Sequence, residues 1–408
     1  MATNAKNGRK MSAKQRQARK RTKLIIFGVE IVVIAVMAVV LWWVWDMFKG
    51  PAEGIVITEV PPKYGQSDKV IEETQEGGSM HGYMNIALFG VDAKNKSQLF
   101  KSSRSDSIMV ANINLDTGDI KLVSVYRDSY LYFKWPIYDD KGNIKEYKET
   151  YDKCNGAYSR GGALSAVQML NMNLDLDIEN FITIGYAGLA KIIDGLGGVW
   201  IDVDKAEMQH INNYQYSILG KNAKKYNIEI TSELNFTPDD YFSNYEVVVV
   251  DTPGYQLLNG LQATAYCRIR YVGNDFQRTA RQREVIKAIE TEAKKADLAT
   301  LTKIFKDVMN DDQSLSYIYT SFDSATLLEL LPNIANYQIV DETGFPQMDM
   351  RQSVSMGAKG SCEVPVDLSS SVSWLHEFLY GEKYEPSATV KDITAKINAD
   401  ASKYLKKN

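Results

Sequence analysis

The sequence predicts a layered α/β domain that follows one N-terminal transmembrane helix. Three observations predict this fold: short apolar runs that end in glycine or turn residues, helical patterns between those runs, and a 22-residue apolar segment near the start. Helices interspersed with short apolar strands are typical of layered α/β domains. With 45% hydrophobic and 24% charged residues among 408, the composition excludes collagen-like, disordered and polytopic membrane proteins.

The first 45 residues predict a membrane anchor. Leu24–Trp45 contains one charged residue, Glu30, and as a helix it is about 33 Å long, enough to cross a hydrocarbon core. Residues 1–23 carry nine Lys and Arg and no acid, which predicts a basic cytoplasmic tail. We therefore expect a single-pass protein of the cell membrane, with residues 24–45 as an uncleaved signal-anchor and the remaining part outside the cell.

The composition beyond the anchor limits the possible ligands. Residues 46–79, rich in Pro and Gly, are predicted to be an extracellular linker with one short strand, Ile55–Val60. The rest of the chain has 38 basic against 51 acidic residues once the tail is set aside, so a nucleic-acid partner is not expected. Three Cys and three His argue against a disulfide scaffold and a zinc site, although a Cys154–Cys267 pair stays open.

The elements of the domain follow from periodicity and turn signals. Predicted strands are Met84–Val91, Ser107–Leu115, Ile120–Val125, Phe181–Ile184, Val199–Val203 and Val247–Val250, the second and third forming a hairpin. Predicted helices are Gly161–Leu174, Leu189–Leu196, Leu258–Tyr266, Arg278–Lys295 and Leu298–Met309. Residues 207–245 show no clear period and are predicted to be an insertion.

Arginines beside strand ends and on one helix predict an anion site. Arg104 and Asp106 open a strand, Arg127 closes another, and Arg268 and Arg270 share one face at a spacing of two. Further along, a helical face at i, i+3 and i+4 carries Arg278, Arg281 and Gln282. Guanidinium groups match phosphate oxygens bidentately, so a phosphate or pyrophosphate ligand is favoured. The alternative is local neutralisation in the pairs Arg104–Asp106, Arg127–Asp128 and Asp275–Arg278, with Asp275 as a helix N-cap.

These segments resemble the LytR-CpsA-Psr (LCP) family over roughly residues 80–310. The matching stretches are Asn85–Asp92, Arg104–Met109, Leu122–Asp128, Lys153–Tyr158 with Gly161-Gly162, Ile193–Val199, Gly260–Ala263 and Tyr266–Arg270, then Asp275, Arg278, Arg281 and Gln282. The resemblance implies a central mixed β-sheet sandwiched between helices, with a long apolar groove for a lipid. It implies an LCP-like catalytic domain at 80–385 and a C-terminal tail at 386–408.

The resemblance also implies a function. Such enzymes are membrane-anchored phosphotransferases that move an anionic glycopolymer from a polyprenyl-pyrophosphate carrier to peptidoglycan, through a phosphodiester bond, with Mg²⁺ on the pyrophosphate. By this likeness Arg127, Lys153, Arg268, Arg270, Arg278 and Gln282 bind the pyrophosphate, and Asp92 and Asp106 hold the metal. Arg127, Arg104 and Asp275 are the catalytic candidates, Arg104 and Lys153 orient the head group, and Asp275 is either a base or an arginine orienter.

Two departures from the family pattern and three other functions stay open. Tyr126 stands where the family commonly has Pro, and Trp135–Thr150 looks like an insertion whose aromatic residues can stack on sugars. The same arginines would serve a non-catalytic module that binds polyprenyl pyrophosphate or cell-wall glycan. They would also serve a lipid pyrophosphatase, in which water replaces the sugar hydroxyl. A cytoplasmic regulatory role of the basic tail is the third.

Overall fold

The structure is a computed structural model that describes residues 55–93, 99–100, 103–219, 242, 245–270, 272–309, 318–323, 326–327 and 330–404. The fold is built on a seven-stranded sheet. The strands are β1 Ile55–Ile57, β2 Tyr83–Val91, β3 Ser105–Asn114, β4 Asp119–Val125, β5 Tyr130–Tyr138, β6 Ile144–Lys153, β7 Ile178–Gly185, β8 Val199–Val203, β9 Gly254–Leu258, β10 Ile318–Thr320, β11 Gln338–Phe345, β12 Arg351–Ser355 and β13 Ser361–Pro365. The helices are α1 Asp68–Glu73, α2 Asn155–Leu174, α3 Tyr186–Gly195, α4 Lys205–Ile218, α5 Gly260–Cys267, α6 Asp275–Lys295, α7 Leu298–Met309, α8 Leu368–Tyr380 and α9 Ala388–Ala401. Short 3₁₀ turns lie at Leu331–Asn336, Met348–Met350 and Gly357–Lys359.

The seven strands form a mixed sheet in the order β1-β10-β7-β2-β3-β4-β11. The neighbours β2–β3 and β3–β4 are antiparallel, whereas β2–β7 and β4–β11 are parallel. Three two-stranded sheets, β5–β6, β8–β9 and β12–β13, lie outside it. The mixed sheet that the family likeness implied is confirmed.

Helices cover both faces of the sheet, because its strands alternate apolar side chains between two cores. On β2, Ala87, Phe89 and Val91 belong to the larger core with α2, α8 and α9, whereas Ile86 faces the other side. That second side packs against α6 through Ile286. Burying one such large side chain stabilises the fold by about 1.5–3 kcal/mol. The prediction of helices on both sides of a central sheet is therefore confirmed.

Most predicted elements lie within a few residues of the observed ones. The predicted hairpin is β3–β4, whose turn is closed by Gly118 with φ of 76°. The predicted helix Gly161–Leu174 is α2, which begins six residues earlier and has a kink at Gly162. Gly162 has φ of 70°, and a Cβ there would lie 2.6 Å from the Phe100 carbonyl oxygen, so only glycine fits without strain.

Two sequence predictions are wrong. The insertion predicted at 207–245 begins with a regular helix, α4, whose capping box between Asp204 and Glu207 starts it. The strand predicted at Val247–Val250 does not form. Side chains take the place of a neighbouring strand there, since Asn212 bonds both backbone groups of Val250 and Gln215 bonds both those of Val248.

Segments without a predicted period also carry structure. The segment predicted to be a linker, residues 46–79, contains α1, and Val70 of that helix lies in the core. The apparent insertion Trp135–Thr150 contributes to the β5–β6 hairpin. Cys154, Cys267 and Cys362 are free and buried, so the open question of a Cys154–Cys267 disulfide is answered: the two do not pair.

The predicted anchor, residues 24–45, lies outside the described residues. Within the part of the chain that the structure describes, no helix is both long and apolar enough to span a membrane.

Candidate functional site

The predicted anion-binding residues meet at one edge of the seven-stranded sheet. β2 and β4 end at this edge, and the antiparallel β3 between them begins there, which brings together Asp92, Asp106 and Arg127. The N-terminal turn of α6 reaches the same edge, because Arg278 Nη2 donates to the backbone carbonyl of Asp106 at 3.0 Å. Ligand sites of open α/β sheets commonly lie at the carboxyl ends of strands.

Asp106 is the centre of the charge network. Its Oδ1 lies 2.6 Å from Arg127 Nη1, and its Oδ2 lies 3.2 Å from Arg270 Nη2. Burial by itself would raise the pKa of the Asp106 carboxyl, but the charges of Arg278, Arg127 and Arg270 hold it below its ordinary value. Asp106 is therefore ionised at neutral pH and fixes two guanidinium groups in place.

Arg127 connects Asp106 to Asp275 and Asp128. Its Nε lies 3.5 Å from Asp275 Oδ1 and 3.8 Å from Asp128 Oδ2. Burial acts to lower the pKa of Arg127, while Asp106, Asp275 and Asp128 raise it above its ordinary value. Asp275 is the first residue of α6 and not its N-cap, which is Asn274, so the N-cap interpretation is wrong.

Arg278 carries a buried positive charge. It is 1% exposed, and its Nη2 lies 3.0 Å from Asp275 Oδ1. Burial lowers the pKa of this guanidinium, partly offset by Asp106 and Asp275. Its Nε is buried and has no hydrogen-bond partner among the described residues. A buried donor without a partner is costly, so this atom is available for a ligand oxygen.

Arg268 is held between aromatic rings. Its guanidinium lies 4.7 Å from the Tyr186 ring centroid and 6.0 Å from that of Tyr214, and its Nη2 lies 3.6 Å from Asp92 Oδ2. Such cation–π contacts favour a charged, oriented guanidinium. Sequence reasoning missed Tyr186, which follows β7 at the same edge. Nothing in the sequence pattern distinguishes it from a core aromatic residue.

The remaining predicted residues divide between the network and its surroundings. Lys153 Nζ pairs with Asp128 Oδ1 at 3.2 Å and so joins the network through Arg127. Arg104 is exposed and pairs with no carboxylate among the residues described, so the Arg104–Asp106 pair of the alternative interpretation is not formed. Arg281 does not join the Asp106 network: it binds Glu207 at 2.6 Å and donates to the Ile269 carbonyl.

An apolar groove of about 330 Å³ lies between the sheet and α6 and reaches the charged edge. Its walls are mainly aliphatic, and Asp106 and Gln282 line it as well. Gln282 Nε2 donates to the Cys267 carbonyl at 3.4 Å, whereas its buried Oε1 has no hydrogen-bond partner in the described parts of the chain. A second apolar cavity of about 270 Å³ adjoins the groove and shares four of its lining residues: Ile182, Ile192, Ile289 and Ile318.

Tyr126, the departure from the family pattern, is accommodated by its neighbours. Its ring packs edge-on against Phe276 at 4.6 Å, and the Arg351 guanidinium lies over it at 4.7 Å. Gly344 makes room for the phenol, because a Cβ at that position would overlap the Tyr126 hydroxyl. The substituted position therefore packs α6 against the end of β4 beside Arg127.

The two predicted metal ligands, Asp92 and Asp106, have the chemistry to hold a hard cation that is also coordinated by a bound phosphate. Among the described residues no group of three or more His, Cys, Asp or Glu side chains could form a metal site alone. Mg²⁺ typically takes one or two protein carboxylates and completes its shell with phosphate oxygens and water. Asp92 and Asp106 supply that donor chemistry at adjacent strand ends.

Two proteins of known name and one solved structure are similar to this chain. The chain is 26% identical over 279 residues to the polyisoprenyl-teichoic acid–peptidoglycan teichoic acid transferase TagU of Enterococcus faecalis, covering 66% of this chain and 70% of that protein. It is also 26% identical over 265 residues to biofilm regulatory protein A of Streptococcus mutans, covering 63% of this chain and 56% of that protein. The crystal structure of B. subtilis TagT matches with a TM-score of 0.50 at 19% identity, over 80% of this chain and all of that one.

The family profile described as the LytR_cpsA_psr family matches residues 58–356, which is most of the chain. The match includes both strand ends, the start of α6 and the groove between them. The chain belongs to the LytR_cpsA_psr family.

Proposed function

We propose that this chain is a membrane-anchored transferase that moves an anionic glycopolymer from a polyprenyl-pyrophosphate carrier to peptidoglycan, forming a phosphodiester bond. The observation that carries the proposal is the position of the arginine–aspartate network at the mouth of an apolar groove. A polyprenyl pyrophosphate has the same division into an apolar chain and an anionic head. Likeness to the Enterococcus relative, which is named a polyisoprenyl-teichoic acid–peptidoglycan teichoic acid transferase, supports the proposal.

The groove is suited to a long apolar chain such as a polyisoprenoid. It adjoins the second apolar cavity, and isoleucines from β7, α3, α6 and β10 line both. Each isoprenoid methylene buried there contributes about 0.8 kcal/mol of transfer free energy. The lipid would lie between the sheet and α6, with its head group at Asp106, Gln282 and Arg278.

The arginines would stabilise the charge that develops when the pyrophosphate is broken. The acceptor hydroxyl oxygen attacks the phosphorus next to the glycan, the P–O bond to the lipid-side phosphate breaks, and polyprenyl phosphate leaves. The acceptor proton passes to a carboxylate or to water. Guanidinium groups already fixed by carboxylates need little reorganisation when the phosphoryl oxygens gain charge. Arg127 and Arg270 are fixed in this way by Asp106.

A divalent cation would complete the charge balance. The network contains five basic side chains, Arg127, Lys153, Arg268, Arg270 and Arg278, and four acidic ones, Asp92, Asp106, Asp128 and Asp275. One excess positive charge does not neutralise a pyrophosphate diester, which carries about two negative charges. We propose that Asp92 and Asp106 hold Mg²⁺, which would neutralise the phosphate oxygens.

Asp275 is better placed to orient arginines than to accept a proton. Its Oδ1 lies 3.0 Å from Arg278 Nη2 and 3.5 Å from Arg127 Nε, so both close contacts of this oxygen are with cations. An Asp275→Asn variant would keep an oxygen acceptor for both arginines. If Asp275 is an orienter, that variant retains part of its turnover, whereas loss of a general base costs about 100-fold or more.

The test uses the full chain in detergent micelles. It is mixed with a synthetic polyprenyl-pyrophosphate-linked glycan, a peptidoglycan oligomer and Mg²⁺, and mass spectrometry measures the phosphodiester-linked product. The variant is Arg127→Ala. The matched control is Arg160→Ala, because Arg160 pairs with Asp152 at 3.0 Å outside the network. We expect product with the unchanged chain and with Arg160→Ala, and none with Arg127→Ala or without the metal.

Other outcomes would change the assignment. Lipid binding without product, across several glycan donors, would replace the transferase with a binding module. Release of free glycan phosphate without linkage would indicate a pyrophosphatase.

The anchor is part of the proposal and has its own test. We propose that residues 24–45 span the cell membrane, with the basic tail in the cytoplasm and the family domain outside. The full chain should sediment with membranes, and a chain lacking residues 24–45 should not. Protease added to intact protoplasts should digest the family domain; its protection there would contradict the proposed orientation.

A further inference from the structure

A third cavity, polar and of about 380 Å³, lies between the β5–β6 hairpin and the C-terminal helix α9. We call it the C-terminal pocket. It is lined by Tyr130, Thr150, Tyr151, Met356, Lys359, Lys396, Asp400, Lys403 and Tyr404. Four of these residues lie in or just after α9, and Lys359 lies in a 3₁₀ turn. The family match ends at residue 356, so five of the lining residues, including all three lysines, lie beyond it.

The C-terminal pocket carries a positive charge that its own residues do not neutralise. Asp400, its one lining carboxylate, is engaged by Lys396 Nζ at 2.5 Å and by the Tyr130 hydroxyl at 3.2 Å. Lys359 Nζ donates to the Tyr151 carbonyl, and neither Lys359 nor Lys403 forms an ion pair with a carboxylate in the described ranges. Both ammonium groups can therefore contact an anionic ligand without breaking a described ion pair, and ammonium groups are common phosphate binders.

Aromatic rings line the same cavity. Lys359 Nζ lies 5.5 Å from the Tyr130 ring centroid, and Lys403 Nζ lies 4.8 Å from that of Tyr404. The rings of Tyr130 and Tyr151 are 6.4 Å apart. Tyrosine offers an apolar face together with a polar tip, which suits a sugar ring better than it suits a bare ion. Pockets that combine apolar walls with a few convergent polar groups are typical ligand sites.

The C-terminal pocket lies next to the proposed catalytic site. Tyr130 is the direct cross-strand partner of Lys153, which pairs with Asp128. The 3₁₀ turn that carries Lys359 also ends beside Lys153, because a Cβ at Gly360 would lie 4.0 Å from Lys153 Nζ. Lys153 therefore stands between the Arg127 network and the lysines of the pocket. A chain with repeated negative charges could contact the network and the pocket at once.

We propose that the C-terminal pocket binds a phosphate-bearing sugar unit of the glycan whose pyrophosphate end lies at Arg127. Lys359 and Lys403 bind the phosphodiester, and the half-buried Tyr151 and Tyr404 contact the sugar. This inference rests on the proposed function, which identifies the bound glycan as the donor substrate. It assigns the selection of phosphate-containing glycans to residues outside the family match.

The experiment measures binding of a soluble probe to the full chain in detergent micelles. The probe is a fluorescent trisaccharide whose hexoses are joined by phosphodiester bonds, without lipid or pyrophosphate. Methylenediphosphonate and Mg²⁺ are added at saturating concentration to occupy the arginine network, so that the measured probe binding comes from other sites. The test variant is Lys359→Gln/Lys403→Gln. The control is Lys383→Gln, because Lys383 is an exposed lysine between α8 and α9 that does not line the pocket.

We expect the double variant to bind the probe at least about tenfold more weakly, because tenfold is the scale of losing one charge-assisted contact and the variant removes two. The control should bind normally, and the affinity of the unchanged chain should fall with added salt. Equal affinity of the double variant, equal binding of a neutral trisaccharide, or preference for a muramyl peptide carboxylate would each overturn the inference. Binding of methylenediphosphonate is measured separately. If it is intact while the probe result fails, the proposed function stands; if it is absent in the unchanged chain, the proposed function fails first.

Discussion

Asp106 gives the most informative substitution, because one carboxylate holds both Arg127 and Arg270. Asp106→Asn keeps the size of the side chain and removes its charge. Breaking a buried ion pair by removing one partner costs about 3–5 kcal/mol. The lower end applies here, since Arg270 is 38% exposed and solvent screens that pair. We therefore expect a loss of about 3 kcal/mol at neutral pH, attributable mainly to Arg127 at 2.6 Å.

The loss should depend on pH in a defined direction. The folded-state pKa of Asp106 is lowered, so its contribution to stability is fully present above the unfolded value of about 3.9 and disappears as the pH falls through the folded value. The difference between Asp106→Asn and the unchanged chain should be constant from pH 8 to pH 5 and shrink in stronger acid. For the compact unit Ala52–Asn408, 3 kcal/mol corresponds to about 4 °C in Tm.

The assay is thermal unfolding followed by circular dichroism across this pH range. Asp116→Asn is the control, because Asp116 lies exposed in the β3–β4 turn. Pyrophosphate binding gives a second measurement. Without Mg²⁺ the variant should bind pyrophosphate at least as tightly, since a repelling charge is gone; with Mg²⁺ only the unchanged chain should gain affinity. A Tm equal to that of the control at neutral pH would refute the reasoning about the ion pair, and an equal Mg²⁺ gain would refute the metal role.

Three further predictions concern the groove and the core. Ile289→Trp, at a residue shared by the two apolar cavities, should weaken binding of octaprenyl pyrophosphate but not of dimethylallyl pyrophosphate; equal weakening in fluorescence titrations would argue against the groove as the lipid site. Gln282→Leu should change the Tm little, because the buried Oε1 has no partner among the described residues, and should weaken pyrophosphate binding measured by calorimetry; unchanged binding would remove Gln282 from the site. Burial lowers the pKa of His376 to about 4, so the unchanged chain should lose about 3 kcal/mol of stability as the pH falls from 6.5 to 4. The His376→Phe variant should not lose this stability, as measured by its Tm over the same pH range. A parallel decline of Tm in both proteins would contradict the role given to His376.

The sequence predicts which residues belong to the charged site better than it predicts how they are arranged. Arg127, Arg268, Arg270 and Arg278 are predicted to form an anion site, with local salt bridges as the alternative. The structure gathers these arginines at one edge of the sheet and pairs each of them with a carboxylate. Asp106 pairs with residues distant in sequence and not with nearby Arg104. Sequence spacing could not reveal this, because the order of the strands in the sheet decides which ends lie side by side.

Arg281 shows the same limit on a helix. Its position at i+3 from Arg278 predicts a shared face, yet its guanidinium binds Glu207 of α4. Glu207 lies in the segment predicted to be an insertion, and its role required knowing that α4 forms there. The strand predicted at Val247–Val250 is wrong for a related reason: Asn212 and Gln215 satisfy that backbone from a helix, a contact that periodicity does not encode.

The sequence by itself determined the α/β class, most of the helices and strands, and the residue types of an anion site, because periodicity, turn residues and charge are local properties. Only the tertiary structure decided which charges pair, that two cavities share one apolar wall, and that three lysines from the C-terminal region line one pocket against the β5–β6 hairpin. Those features depend on strand order and helix packing, which bring together residues far apart in the chain.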